Sequence, residues 1–451
     1  MSAELSRPAS PERSLDELAN LAEDVLARCR KLGASQAEVS LNLDAGLDVN
    51  VRMGEVETVE HSRDRGVAIT VYFGGRKGSA STADVQAASI ATSIEQACAI
   101  ARHTEEDPCA GLADAARMAT FFPDLDHWHP WELDANHAIE LGIAAEAAGR
   151  ALDARLHNSD GASVSTSSSV AVYANSHGFL GRESGTRHSI SCSLLGEDGQ
   201  AMQRDYWYTT AVAREDLETA EAVGRRAAER TLARLNPRKL GTRACPVLFA
   251  PELARSLIGH LVGAVSGGAL YRRASFLLDS VGEQLFPNWF SILERPHLKR
   301  GAGSGAFDGE GVATVDSDLV RDGVLARYIL GSYSARKLGL ESTGNAGGIH
   351  NLVVPANAGD FADLLRRLDT GLLVTELMGQ GVNTVTGDYS RGAAGFWVEH
   401  GAIAYPVDEV TIAGNLREMF RRVVAVGSDI DRRGPILTGS ILIERMTVAG
   451  E

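Results

Sequence analysis

A chain of 451 residues, 44% hydrophobic and 23% charged, has the make-up of a globular protein with length for two or three domains. Its formal net charge of −15 repels phosphate backbones and argues against nucleic acid as a direct ligand. The five cysteines are odd in number and form no Cys-x-x-Cys pair, the first residues carry no apolar signal core, and no run has the length of a membrane span, so disulfide frameworks, zinc knuckles and membrane insertion are set aside and a cytoplasmic protein is expected.

Residues 1–13 are polar and Pro-containing and read as a disordered tail. Order is expected from Ser14, where Ser14 and Glu17 match a capping box and Leu18, Leu21, Val25 and Cys29 share one helical face up to Gly33. "AEVSLNL" alternates through Ala37, Val39, Leu41 and Leu43, and "LDVNVRMGEVETVEH" and "GVAITVYF" continue as strands. "GGRKGSAST" lacks the Gly-Lys-Ser/Thr ending and following helix of a phosphate loop and reads as a turn after a strand. Helical periodicity returns over residues 83–103, through Ile90, Ile94 and Ala101. His127 and His129 then stand in "DHWHPW", where the flanking tryptophans and proline favour a packed loop over a metal site.

A helix–strands–helix block follows from about Ala135 to Leu235, with hairpin signals at "NSHG" and "GEDG". "NPRKLGTRACP" breaks it. The expected divisions are an N-terminal α/β domain over 14–125, a central helix–strand–helix region over 126–240 and a C-terminal domain over 241–451. The last is rich in glycine and short strands, which points to a curled or barrel-like, mostly antiparallel sheet and an α+β fold overall. "GAGSGAFDGEG" has neither the preceding strand nor the following helix of a dinucleotide site.

The opening helix of that domain, "RSLIGHLVGAVSGGALYRRASF", raises the question of a metal. Leu253, Leu257, Leu261, Val262 and Val265 form a broad apolar arc, and His260 falls near its edge. Gly259 and Gly263 lie about 40° apart on another side, where a second element is expected to approach closely. A zinc hydrolase helix needs two imidazoles and a carboxylate base, yet His260 is the sole histidine between residues 189 and 296 and no His-Glu dipeptide occurs. A core-edge histidine is the reading the residues favour.

Four segments carry a resemblance: "LIGHLVGAVSGGALYRRASFLLDSVGEQLF", "SYSARKLGLESTGNAGGIHN", "ELMGQGVNTVTGDYSRGAAGFWVE" and "YPVDEVTIAGNL". With "GEVETVEHSRDRGVAITVYFGGRKGSAST" near the N-terminus, they resemble the PmbA (TldE) branch of the PmbA/TldD metalloprotease family along nearly the whole chain. The resemblance implies a cytoplasmic metallopeptidase in which a TldD-type and a PmbA-type chain form a heterodimer. Zinc is then expected in the TldD-type partner, on a His-Glu-x-x-x-His helix with a C-terminal cysteine. Registered on that pattern, Gly259 takes the first histidine position, His260 the glutamate and Ala264 the second histidine, and no cysteine follows Cys245. Glycine and alanine offer no ligand atoms, so this chain is expected to hold no metal or cofactor and to be inactive alone.

The implied substrates are unfolded peptides, including peptide-antibiotic or antitoxin substrates, which are expected beside a sheet edge of the C-terminal domain. His260, Arg272, Arg273, Asn383, Asp388, Tyr389 and Arg391 are the candidate substrate or partner contacts, with structural turn and ion-pair roles the alternative. A non-catalytic, chaperone-like modulator and a homodimer stay open as rival readings.

Overall fold

The computed structural model describes residues 10–199 and 201–450, so most of the expected tail lies outside the described residues. Helix α1 (Glu12–Lys31) starts two residues before Ser14. Pro11 is its N-cap, with φ of −75°, and the Leu15 amide already donates to the Pro11 carbonyl at 3.0 Å. The pre-set φ of proline begins the helix and leaves the expected capping box inside the first turn.

Strands β1 (Gln36–Arg52), β2 (Glu55–Phe73) and β3 (Arg76–Thr82) follow as a meander, then α2 (Ala87–His103) and α3 (Ala135–Arg150). "GGRKGSAST" is therefore a turn at Gly74 that leads into β3. Strands β4 (Asn158–Asn175), β5 (Leu180–Asp198) and β6 (Ala201–Ala211) and helix α4 (Ala220–Ala233) complete the first half. All six strands join one antiparallel sheet in the order β3-β2-β1-β4-β5-β6. Val39 of β1 sits between Ile69 and Ala174, which welds the N-terminal and central segments together. The alternation of β1 aims Val39, Leu41, Leu47 and Val49 at the side that carries all four helices, in two apolar clusters.

The second half opens with β7 (Arg243–Phe249), α5 (Pro251–Ala264) and the short α6 (Gly267–Tyr271). Next come β8 (Ile292–Glu294), β9 (Ser317–Arg321), β10 (Val324–Leu325), α7 (Ser332–Leu338), β11 (Leu352–Val353) and α8 (Phe361–Leu368). The chain ends with β12 (Gly371–Met378), β13 (Asp388–Glu399), β14 (Ala402–Asn415), α9 (Leu416–Arg421), β15 (Val423–Val426), β16 (Ile436–Leu437) and β17 (Ile441–Ala449). The larger sheet runs β14-β13-β12-β7-β17-β15, and pairing of Thr411–Ala413 with Thr447–Ala449 joins β14 back to β17. Those five strands form a closed barrel, with β15 alongside; β8 to β11 and β16 form a second, small sheet.

Closure is confined to Thr411–Ala413, so Ala402–Val410 of β14 pair with β13 and otherwise meet, among the described residues, only a bridge from Arg238 to Val407. The first-half sheet has long free edges too: β6 pairs with β5 alone, and β3 covers only Val67–Phe73 of β2, so Glu55–Gly66 pair with β1 alone.

Candidate functional site

Helix α5 sits where the barrel and the small sheet share one core. Leu257, Ile258 and Leu261 pack with Val247, Phe249, Leu372, Tyr389 and Ala393 of the barrel and with Ile292 and Leu319 of the small sheet. The helix forms because Pro251 occupies its first turn and its apolar residues recur every three or four positions. Its opposite side is open. A Cβ built on Gly259 or Gly263 meets no atom within 4 Å, so the close approach expected at these glycines is absent among the described residues.

His260 stands at the border of the two faces. Its ring meets the buried Tyr389 ring edge-on, with centroids 5.8 Å apart. Its Nε2 is buried without a hydrogen-bond partner, and burial, reinforced by the charge of Arg391, pulls its pKa below the usual histidine value. Arg391 lies two residues from Tyr389 and two from Ala393 on β13, so the strand's alternation aims it at the same core side. Its Nε is also buried without a partner. Burial pushes the Tyr389 hydroxyl up to about 12, with Arg391 opposing the shift.

Three of the residues singled out in the sequence thus come together: His260, Tyr389 and Arg391. Asn383 and Asp388 hold the turn that leads into β13. The Asn383 side-chain oxygen accepts from the Val385 amide at 2.9 Å, and Asp388 accepts from the Thr386 hydroxyl at 2.6 Å. Arg272 stacks on its neighbour Tyr271 and donates to its hydroxyl, while Arg273 takes a φ of +56° just beyond α6. Both arginines are exposed, and no ion pair or hydrogen bond among the described residues ties either to His260.

The resemblance noted in the sequence leads one to ask whether this helix could hold a zinc ion, and the donor set here decides it. The set does not fit one. Gly259 and Ala264 carry no ligand atoms, Ala264 is fully buried, and the cation nearest the one imidazole is a guanidinium, which opposes a second positive charge. Among the described residues no group of three or more His, Cys, Asp or Glu is placed to hold a metal ion. His127 and His129 are loop contacts: His127 Nε2 meets the Gly301 carbonyl at 3.1 Å, and His129 Nε2 lies 3.0 Å from the Asp126 carboxylate.

Two features escaped the sequence. One is a cleft of about 1060 Å3 between β6, α4 and the C-terminal domain, lined by Trp207, Arg226, Pro251, Arg300 and Arg433. Arg226 and Arg433 cover the Trp207 ring, each 4.1 Å from its centroid. The other is buried Glu294, which accepts from Arg327, from the Asn345 amide at 3.0 Å and from the His350 backbone at 2.7 Å. That carboxylate fixes the glycine-rich loop "STGNAGGIHN". Both are assembled from segments far apart in the chain, and no local spacing announces either.

Comparison with known proteins agrees over most of the chain. Three domain models of the PmbA/TldA metallopeptidases match: domain 1 over residues 37–101, the central domain over 128–235 and the C-terminal domain over 242–450. Metalloprotease PmbA of Escherichia coli O157:H7 is 51% identical over 415 residues, 92% of each chain. A solved chain from Bacteroides thetaiotaomicron, described as a proposed modulator of DNA gyrase, superposes with a TM-score of 0.92 at 28% identity, covering 97% of this chain and 99% of that one. TldE from Thermococcus kodakarensis shares the fold with a TM-score of 0.83 at 20% identity, covering 95% and 100%.

Proposed function

The chain belongs to the PmbA/TldD metallopeptidase family, close to its PmbA branch, and from that membership we propose that it is the non-zinc subunit of a cytoplasmic peptide-degrading metalloprotease, completed by a TldD-type chain. One observation carries the reading: the helix that would bear the zinc ligands presents Gly259, Ala264 and a histidine beside an arginine. This chain's part is then scaffold and recognition. Unfolded peptides, including peptide-antibiotic or antitoxin substrates, suit such an enzyme because a flexible segment adds to a sheet edge through main-chain hydrogen bonds. The free edge of β2 over Glu55–Gly66 supplies a surface of that kind.

Metal analysis and peptidase assays test it directly. The purified chain is expected to hold substoichiometric zinc and to cleave nothing. Mixed with a TldD-type chain it is expected to form a heterodimer that cleaves an unstructured peptide and spares its folded counterpart, since a folded substrate must first open locally. About one tightly held zinc per isolated chain, with chelator-sensitive cleavage, would overturn the proposal. Equal cleavage with and without this chain would leave the modulator or homodimer reading instead.

A further inference from the structure

We propose that the core-facing side of β13 beside α5 is a carboxylate-binding site, in which Arg391 and His260 are the donors that hold the anion. The inference rests on the peptide-handling reading above and names the group on the peptide or partner that this position takes.

A contrast with several other half-buried or buried arginines motivates it. Arg230 meets Asp205 at 3.3 Å and Glu252 at 2.7 Å. Arg234 meets Asp205 and Glu376, Arg327 meets Glu294, and Arg433 meets Asp431 at 2.9 Å. The fold supplies a carboxylate to each, as a desolvated cation requires. Arg150 and Arg336 donate to main-chain carbonyls instead, whereas Arg391, like half-buried Arg28, has neither kind of partner among the described residues. It has no ion pair and no side-chain hydrogen bond among the described residues, and its Nε is buried.

Its neighbour has the same deficit. His260 Nε2 is buried and unpartnered, and the ring is held by the Tyr389 contact. Two adjacent nitrogens therefore lack a partner, and with Nε2 carrying the proton both are donors, on the border of a helix face that Gly259 and Gly263 leave open to an approaching chain. A metal cation is repelled there; an anion answers both groups at once. The planar fork of a guanidinium matches the two oxygens of a carboxylate, and an imidazole N–H adds a third bond. The carboxylate comes either from the free C-terminus of an extended peptide or from an Asp or Glu side chain.

Binding to the full chain separates these sources. The probes are N-acetyl tetra-alanine with a free C-terminus, the same peptide as its C-terminal amide, an amidated version with a central Asp, and inorganic phosphate. Titration calorimetry gives affinity, and the His260 ring resonances report the place. Saturable binding of the free acid alone identifies C-terminal capture, and binding of the Asp peptide identifies side-chain capture; both support the site. In either case Arg391→Met should weaken binding at least tenfold and Arg391→Lys less, with melting temperatures recorded so that a misfolded variant is recognised. Binding of the plain amide as tightly as the acids overturns the proposal. So does binding of phosphate alone, unmoved His260 signals, or an unchanged affinity in folded Arg391→Lys and Arg391→Met. The measurement needs neither zinc nor a TldD-type chain, so a failure here leaves the heterodimer reading standing, and failure of the heterodimer leaves this result readable.

Discussion

Two sets of helix glycines in this chain look alike in sequence and behave oppositely. Where α3 crosses α4, glycine is demanded by space. A Cβ on Gly149 would stand 2.6 Å from both the Gly224 carbonyl oxygen and a Leu194 methyl, and one on Gly224 would overlap the Ala145 carbonyl. On α5, a Cβ on Gly259 or Gly263 touches nothing among the described residues. The first set lets two helices close over the sheet, and the second leaves a helix surface bare in this chain. Glycine spacing announces that a backbone is accessible; whether anything uses the access is decided by elements far away in the chain.

The largest expected effect tests the closed set. Gly224→Ala gains helix propensity of about 1 kcal/mol, but the overlap with Ala145 forces α3 and α4 apart. A net loss at the upper end of overpacking costs, roughly 3 kcal/mol, is expected as a lowered urea midpoint. A variant as stable as the wild type would mean that the crossing has slack and that the contrast with α5 is not one of space.

The open set is expected to respond with the opposite sign. Gly263→Ala adds a methyl group to an exposed helix position and should stabilise the isolated chain by up to about 1 kcal/mol. The same variant measured for pairing with a TldD-type chain sharpens the comparison. Weakened pairing with raised stability would show that a partner lies against this face. A loss of stability in the isolated chain would contradict the open geometry itself.

The same distinction separates what could be read in the sequence from what could not. Local signals were sufficient for β1, whose alternation is intact through Leu41, for the turns at "NSHG" and "GEDG", and for α3 and α4 within a few residues. The start of α1 was misread because two signals competed, and Pro11 prevailed over Ser14. Non-local pairings left no local trace. Val39 meets Ala174 across 135 positions, and the barrel closes where Thr411–Ala413 pair with Thr447–Ala449. At the site, the sequence marked His260, Tyr389 and Arg391 and also Asn383 and Asp388. Strand alternation brings the first three to α5, while the other two close the turn that precedes them.

The smallest expected effect is on acid stability, and it again sets an open position against a packed one. His260 borders the bare α5 face, whereas His127 is held in the domain interface by the Gly301 carbonyl. Burial is the leading cause of a lowered pKa at both, with Arg391 adding to it at His260. An unfolded histidine titrates near 6.5, so just below that value the unfolded chain binds more protons than the native one. The stability contributed by each neutral imidazole is therefore complete above about pH 6.5 and is lost as pH falls through the window between the unfolded and native pKa values. His260→Gln should flatten the fall of stability with acid by less than one proton's worth, and His127→Gln should do the same independently, with additive effects at such separate sites. Urea melts from pH 7.5 down to 5.5 measure the slope. If His260→Gln leaves it unchanged while His127→Gln reduces it, water reaches the α5 border freely enough to keep that imidazole at its ordinary pKa, and the unmet donor there is a surface group rather than a buried one.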